Sequence, residues 1–187
     1  MEQPAGNKIT GNPSSHPALS VKWVEDFPDI PLNRNEAYKL RVTSKGVEIE
    51  AITETGVYRA IQTLRQLTEK KGNGIAITGC EITDWPAFRI RGFMQDVGRT
   101  YISTDELKRE IAILARYKIN VFHWHLTENQ AWRLQSKVFP MLNDSVNTTR
   151  QPGKYYTLEE ARELAAFCKQ HHVLLIPVSY THLTLPT

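Results

Sequence analysis

Residues 118–133 read KINVFHWHLTENQAWR, and the first half of that run decides the fold. Side chains alternate between the two faces of a strand. Asn120, Phe122, Trp124 and Leu126 therefore share one face, and Ile119, Val121, His123 and His125 the other. The aromatic and aliphatic face suits packing beneath crossover helices. His123 and His125 then point the opposite way, which in a closed barrel is inward. Glu128 follows just past the carboxyl end of the strand, where parallel α/β folds place their sites.

The flanking sequence supplies the helices this strand needs. Upstream, residues 89–97 (RIRGFMQDV) read as a strand, and Ser103 with Glu106 forms a capping box that opens a helix to about Tyr117. Leu107, Ile111, Leu114 and Lys118 share its face. Downstream of a long polar loop, Thr157 and Glu160 form a second capping box. Leu158, Ala161, Ala165 and Cys168 give that helix its buried stripe. Val173 to Val178 is a short apolar strand of the kind buried on both faces. Strand, helix, strand, helix, strand predicts parallel strands joined by crossover helices, an α/β fold. A closed eight-stranded barrel takes about 250 residues, so the sheet is either small and open or part of something longer.

Before Asp84-Trp85-Pro86 the rhythm differs. Leu40 and Val42 alternate with charged residues, Ser44-Lys45-Gly46 supplies a turn, and Val47, Ile49 and Ala51 alternate again, which predicts a strand pair. Val57, Ala60, Ile61, Leu64 and Leu67 recur at helical spacing, and Gly72-Asn73-Gly74 is expected to stop that helix. A strand from Ile75 towards Ile82 completes a small α+β unit. The first 35 residues are rich in proline, asparagine and serine and read as irregular.

Composition narrows the function classes. The chain has 187 residues, 41% hydrophobic and 23% charged, with a net charge of +3. That charge is small and scattered, so nucleic acid is not an expected partner. The longest apolar run is six residues and contains Pro177, so no membrane partner is expected either. Residues 1–20 lack an apolar core and a basic start, so no signal peptide is read there. Cys80 and Cys168 make no disulfide framework and leave the redox compartment open.

Two chemistries compete around the second strand. His-Trp-His at i and i+2 is a spacing by which two imidazoles bind one metal from a strand end, as in metal-dependent amidohydrolases; otherwise His123 and His125 are hydrogen-bonded interior residues or substrate contacts. No further metal ligands are assignable, because His171 and His172 fall at a helix end. Asp96 and Arg99 close the first strand, and beside Glu128 they would bring two carboxylates and a guanidinium to one rim. Carboxylates accept paired hydrogen bonds from vicinal hydroxyls, and arginine's planar fork donates them. The bland alternative is an Asp96–Arg99 loop pair. Trp132 and Arg133 offer either an apolar platform and an anchor or simply a pin for their loop. Asn143-Asp-Ser and Asn147-Thr-Thr match the glycosylation pattern.

Three motifs in order, RGFMQDVGRTY (Arg91 to Tyr101), KINVFHWHLTENQAWR (Lys118 to Arg133) and YYT (Tyr155 to Thr157), closely resemble the family 20 glycoside hydrolases, the β-N-acetylhexosaminidases. The resemblance runs over roughly residues 36 to 177. It implies an incomplete (β/α)8 TIM barrel over residues 84–177, preceded by part of a small non-catalytic α+β domain over 1–83. It further implies a substrate-assisted retaining hydrolase acting on terminal, non-reducing N-acetylhexosamine in glycans, outside the two-carboxylate nucleophile scheme. No cofactor and no metal is called for. Arg99 matches the arginine that grips sugar hydroxyls. Glu128 matches the acidic residue, usually aspartate, that binds the same hydroxyls with an arm one methylene shorter. Asp96, His123, His125, Trp132 and Arg133 are expected to be structural near that site.

The family's catalytic Asp-Glu pair sits on a later strand end, and no such dipeptide at a strand end is found here. No catalytic residue is therefore assigned, and the chain is read as an inactive fragment or, alternatively, a carbohydrate-binding remnant. Residues 178–187 (VSYTHLTLPT) depart from the family after Ile176-Pro177 and read as a non-native tail. The resemblance suggests a periplasmic or secreted setting.

Overall fold

A computed structural model describes residues 8–9 and 18–179. The chain divides into two compact units, residues 1–89 and 90–187.

The first unit holds strands β1 (Lys8–Ile9), β2 (Ala18–Trp23), β3 (Tyr38–Thr43) and β4 (Gly46–Ala51), helix α1 (Glu54–Gln66), and strands β5 (Thr68–Lys71), β6 (Gly74–Thr78) and β7 (Cys80–Asp84). Its four-stranded sheet runs β2-β4-β3-β7, with β2 parallel to β4 and the other pairs antiparallel. Alternation along β3 and β4 sends Tyr38, Leu40, Val42, Val47 and Ile49 to one face, where they bury against Ala60 of α1. The Thr53 hydroxyl caps α1 by accepting from the Gly56 N–H. The opposite face is charged, and Lys22 meets Glu50 across strands at 2.6 Å.

Three local expectations fail in this unit. Residues 18–23 form a strand inside the stretch read as irregular, and Arg34–Glu36 form a 3-10 turn. Leu19, Val21 and Trp23 alternate with Ser20 and Lys22, a strand pattern too short to stand out among prolines. The sequence Gly72-Asn73 does not stop α1, which ends at Gln66. It closes a hairpin between β5 and β6, with Gly72 in the left-handed region at φ 59°. Finally, 74–84 is two strands in different sheets, since β6 pairs with β5 and β7 with β3.

The second unit is β8 (Gly92–Asp96), α2 (Thr104–Arg116), β9 (Val121–His125), a small hairpin β10 (Thr127–Glu128) and β11 (Ala131–Trp132), α3 (Leu158–Gln170) and β12 (Leu174–Val178). The three long strands form a parallel sheet in the order β12-β9-β8. Both capping boxes are made in full, Ser103 with Glu106 and Thr157 with Glu160. Asn120 aligns the strand starts: its side-chain oxygen accepts the Arg91 N–H at 2.8 Å and its carbonyl accepts the Leu174 N–H at 2.8 Å.

Register sorts the side chains into two faces. Phe93, Phe122 and Leu175 form one row and Gln95, Trp124 and Pro177 the next, with Phe122 and Trp124 fully buried. On the other face Met94, His123 and Ile176 share a row, and Asp96, His125 and Val178 share the row at the carboxyl end. Strand β12 is not buried on both faces as its composition suggested; Leu174 is 61% and Ile176 38% exposed, because β12 is an edge strand among the described residues. The helical stripes shift by one residue. Ala115 is buried in α2 and Leu164 in α3, whereas Leu114 is half-buried, Ala165 is exposed and Lys118 lies beyond the α2 terminus. Val178 pairs with His125, and the tail from residue 180 lies outside the described residues, as do residues 1–7 and 10–17 of the stretch searched for a signal peptide.

Candidate functional site

The carboxyl ends of β8 and β9 build one rim. Val97 and Gly98 both donate their N–H groups to the His125 carbonyl, at 3.0 and 3.2 Å. The chain leaving β8 therefore folds over the end of β9 and delivers Arg99 there. The Arg99 N–H donates to Asp96 Oδ1 at 3.1 Å, and its Nη1 donates to Asp96 Oδ2 at 2.5 Å. Its Nη2 donates to Glu128 Oε1 at 2.9 Å. Glu128 is set there by the hairpin, in which it pairs with Ala131 across Asn129-Gln130.

One guanidinium thus bridges carboxylates from two strand ends. The Arg99 side chain is 57% exposed and each carboxyl side chain 19%, so the acceptors are fixed and the donor faces outward. Burial pulls the Asp96 carboxyl upward, but the Arg99 N–H, the His125 ring and the Arg99 charge together hold it below the usual aspartate value. Such a fork between carboxylates can exchange its internal bonds for hydroxyls that donate to Glu128 or Asp96 and accept from Arg99.

The two histidines separate. His125 is buried, with Nδ1 3.4 Å from Asp96 Oδ1 and Nε2 3.9 Å from Glu128 Oε1. His123 lies one row below, and its Nε2 is buried without a hydrogen-bond partner. Asp96, His125 and Glu128 each offer a ligand atom within 4.8 Å of one another, a set that does not include His123. Arg99 engages both of those carboxylates, so a metal cation would have to displace a guanidinium.

Trp132 pairs with Thr127 in the hairpin, and its indole N–H is buried without a hydrogen-bond partner. Arg133 is wholly buried. Asn143, the first sequon asparagine, has its amide in use: Oδ1 accepts the Ser136 N–H at 2.7 Å and Nδ2 donates to the Leu134 carbonyl at 3.0 Å. Sequence reasoning passed over Gly98, Gln151 and Tyr156. Gly98 gives the Arg99 turn room, Gln151 accepts the Tyr101 N–H, and Tyr156 sits edge-on to Trp124 with its hydroxyl donating to the Ile102 carbonyl at 2.6 Å. Gly98 and Tyr156 carried a signal, in the RGFMQDVGRTY and YYT motifs, and Gln151 carried none.

Two family descriptions match the chain, "Glycosyl hydrolase family 20, catalytic domain" over residues 88–179 and "Glycosyl hydrolase family 20, domain 2" over residues 4–85. A beta-hexosaminidase of Porphyromonas gingivalis is 38% identical over 189 aligned residues, covering 94% of this chain and 22% of that protein. A beta-N-acetylhexosaminidase of Cellulomonas fimi is 33% identical, covering 86% of this chain and 33% of its own length. Among solved structures, an exo beta-N-acetylglucosaminidase of Vibrio harveyi in complex with N-acetylglucosamine superposes with a TM-score of 0.74 at 33% identity, over 85% of this chain and 26% of that one. The N-acetyl-beta-hexosaminidase of Streptomyces plicatus superposes with a TM-score of 0.75 at 30% identity, over 85% and 33%. The chain spans about a fifth to a third of the length of these curated relatives.

Proposed function

Since the chain belongs to glycosyl hydrolase family 20, we propose that it forms the hydroxyl-holding part of a β-N-acetylhexosaminidase acting on terminal, non-reducing N-acetylhexosamine of glycans. The observation that carries this reading is the Arg99 fork between Asp96 and Glu128 at adjacent parallel strand ends. In it Arg99 and Glu128 are the sugar ligands, while Asp96 and His125 hold them in place. The parallel strands β8, β9 and β12 with their crossover helices stand as the first three strands of a (β/α)8 barrel, and residues 1–83 as part of its leading α+β domain.

In substrate-assisted hydrolysis the sugar's acetamido oxygen attacks the anomeric carbon, an aspartate orients it, and a glutamate protonates the leaving oxygen. The one Asp-Glu dipeptide of the sequence, Asp105-Glu106, opens α2, and the Glu106 carboxylate is committed to the Ser103 N–H and hydroxyl at 3.1 and 2.7 Å. These 187 residues by themselves therefore bind hydroxyls without cleaving the bond.

The test is kcat/KM of the full-length protein on 4-nitrophenyl N-acetyl-β-glucosaminide. Loss of a charge-assisted bond of about 1.5–3 kcal/mol predicts a drop of about 10- to 150-fold for Arg99→Ala, and a similar one for Glu128→Gln. Unchanged values in both variants would remove these residues from the sugar site.

A further inference from the structure

We propose that Arg133 is a positioning residue whose buried guanidinium clamps the Val97–Arg99 turn to the 150–154 loop and so sets where Arg99 stands at the rim. A charge removed from water must be matched by well-placed partners. Arg133 is 0% exposed and forms no ion pair among the described residues; backbone carbonyls take that role. Its Nε donates to Val97 O at 3.0 Å. Nη1 donates to Gln151 O at 3.2 Å and to Lys154 O at 2.7 Å, and Nη2 to Arg150 O at 2.8 Å. Four of the five guanidinium donors are thereby spent, on two segments far apart in sequence.

Those two segments bracket Arg99. On one side, Val97 is held through both of its backbone groups, its N–H by His125 O and its carbonyl by Arg133. On the other, the Tyr101 N–H donates to the side-chain oxygen of Gln151, whose own carbonyl Arg133 holds. The loop is closed again by Tyr156, which donates its N–H to the Arg133 carbonyl at 2.7 Å and stacks on Tyr101 at 4.8 Å between ring centroids. Arg99 is the exposed middle of a turn fixed at both ends through one side chain. A lysine cannot replace that side chain, because its donors radiate from one nitrogen and reach no such spread of acceptors.

The kinetic readout rests on the function proposed above; the hydrogen-exchange readout does not. In the full-length protein Arg133→Lys is expected to raise KM for the aryl N-acetylglucosaminide at least tenfold, with a smaller change in kcat, since Arg99 holds hydroxyls away from the bond that breaks. Unchanged constants in a folded variant, or a fall in kcat at constant KM, would overturn the proposal. In the wild-type protein the Tyr101 and Tyr156 amides are expected to exchange with solvent as one unit, within about twofold of each other. Independent exchange of the two would also overturn it, and this measurement decides the matter if Arg133→Lys does not fold. Should the wild-type protein leave the glycoside intact, the functional reading fails, and joint exchange that accelerates at least tenfold in a folded Arg133→Lys variant still establishes the clamp.

Discussion

Gly98 lies against Glu128: a Cβ on Gly98 would stand 3.0 Å from both the Cβ and the backbone nitrogen of Glu128. The glycine is required here for space, because the turn that carries Arg99 crosses directly over the start of the hairpin that carries Glu128. Gly98→Val would push the two apart and break the Arg99–Glu128 bond. Overpacking of this kind costs about 1–3 kcal/mol. A thermal melt of the full-length variant should show that loss, together with a raised KM on the aryl glycoside.

Arg99 and Glu128 are bonded to each other, so under the proposed function their substitutions should not add. In a double-mutant cycle, Arg99→Ala combined with Glu128→Gln is expected to lose less in kcat/KM than the two single losses together, by about 0.5–3 kcal/mol. Strict additivity would mean that the two side chains bind sugar independently.

Acid should dismantle the rim from Asp96. Its carboxyl is held below the usual value in the fold, against about 3.9 in an unfolded chain. A carboxyl lowered by folding contributes stability that is complete above the unfolded value and is lost as pH falls through the folded one. The melting-temperature difference between wild type and Asp96→Asn should therefore shrink as pH falls below about 4.

The two thiols should differ in reactivity. Burial pushes the Cys168 thiol up to about 11, and the residue is 1% exposed, whereas Cys80 is half-buried. At pH 8 a disulfide reagent such as dithiobis(nitrobenzoate) should label Cys80 first and Cys168 only through opening of the second unit. Because the Cys168 thiol is raised on folding, its contribution is complete below about 8.5, the unfolded value, and declines as pH rises towards about 11.

Asn143 should matter through its amide. Asn143→Ala leaves the Ser136 N–H and the Leu134 carbonyl without their partner and is expected to cost about 1–2 kcal/mol. Ser145→Ala, which removes the same sequon and leaves that amide in place, should shift stability by no more than about 0.5 kcal/mol in the same melt.

The parts of this molecule that local chemistry dictates were readable in advance. Ser103 with Glu106 and Thr157 with Glu160 are boxes that each helix makes for itself. The meeting of Asp96, Arg99 and Glu128 followed from the rule that parallel strands end together. What escaped depends on partners that carry no side-chain signature. Arg133 is buried because four carbonyls converge on it, and a carbonyl is the same in every residue. Strand β5, Thr-Glu-Lys-Lys, is exposed throughout and exists only because β6 turns back on it. Ala165 and Leu164 both fit a helical period, and only the position of the sheet decides that Leu164 goes inside.

The two sheets also differ in how a ribosome would deliver them. In the second unit the spatial order β12-β9-β8 is the order of synthesis read backwards, so each helix and strand can dock on the newest edge as soon as it emerges, without entering between strands already joined. In the first unit β2, among the described residues, pairs with β4 alone, which is made after β3, so an early strand must wait while a later hairpin forms. Contacts that close long loops form slowly. Growth of the nascent chain would thus be smooth through the unit bearing Arg99 and Glu128, and held back at β2 in the unit that precedes it.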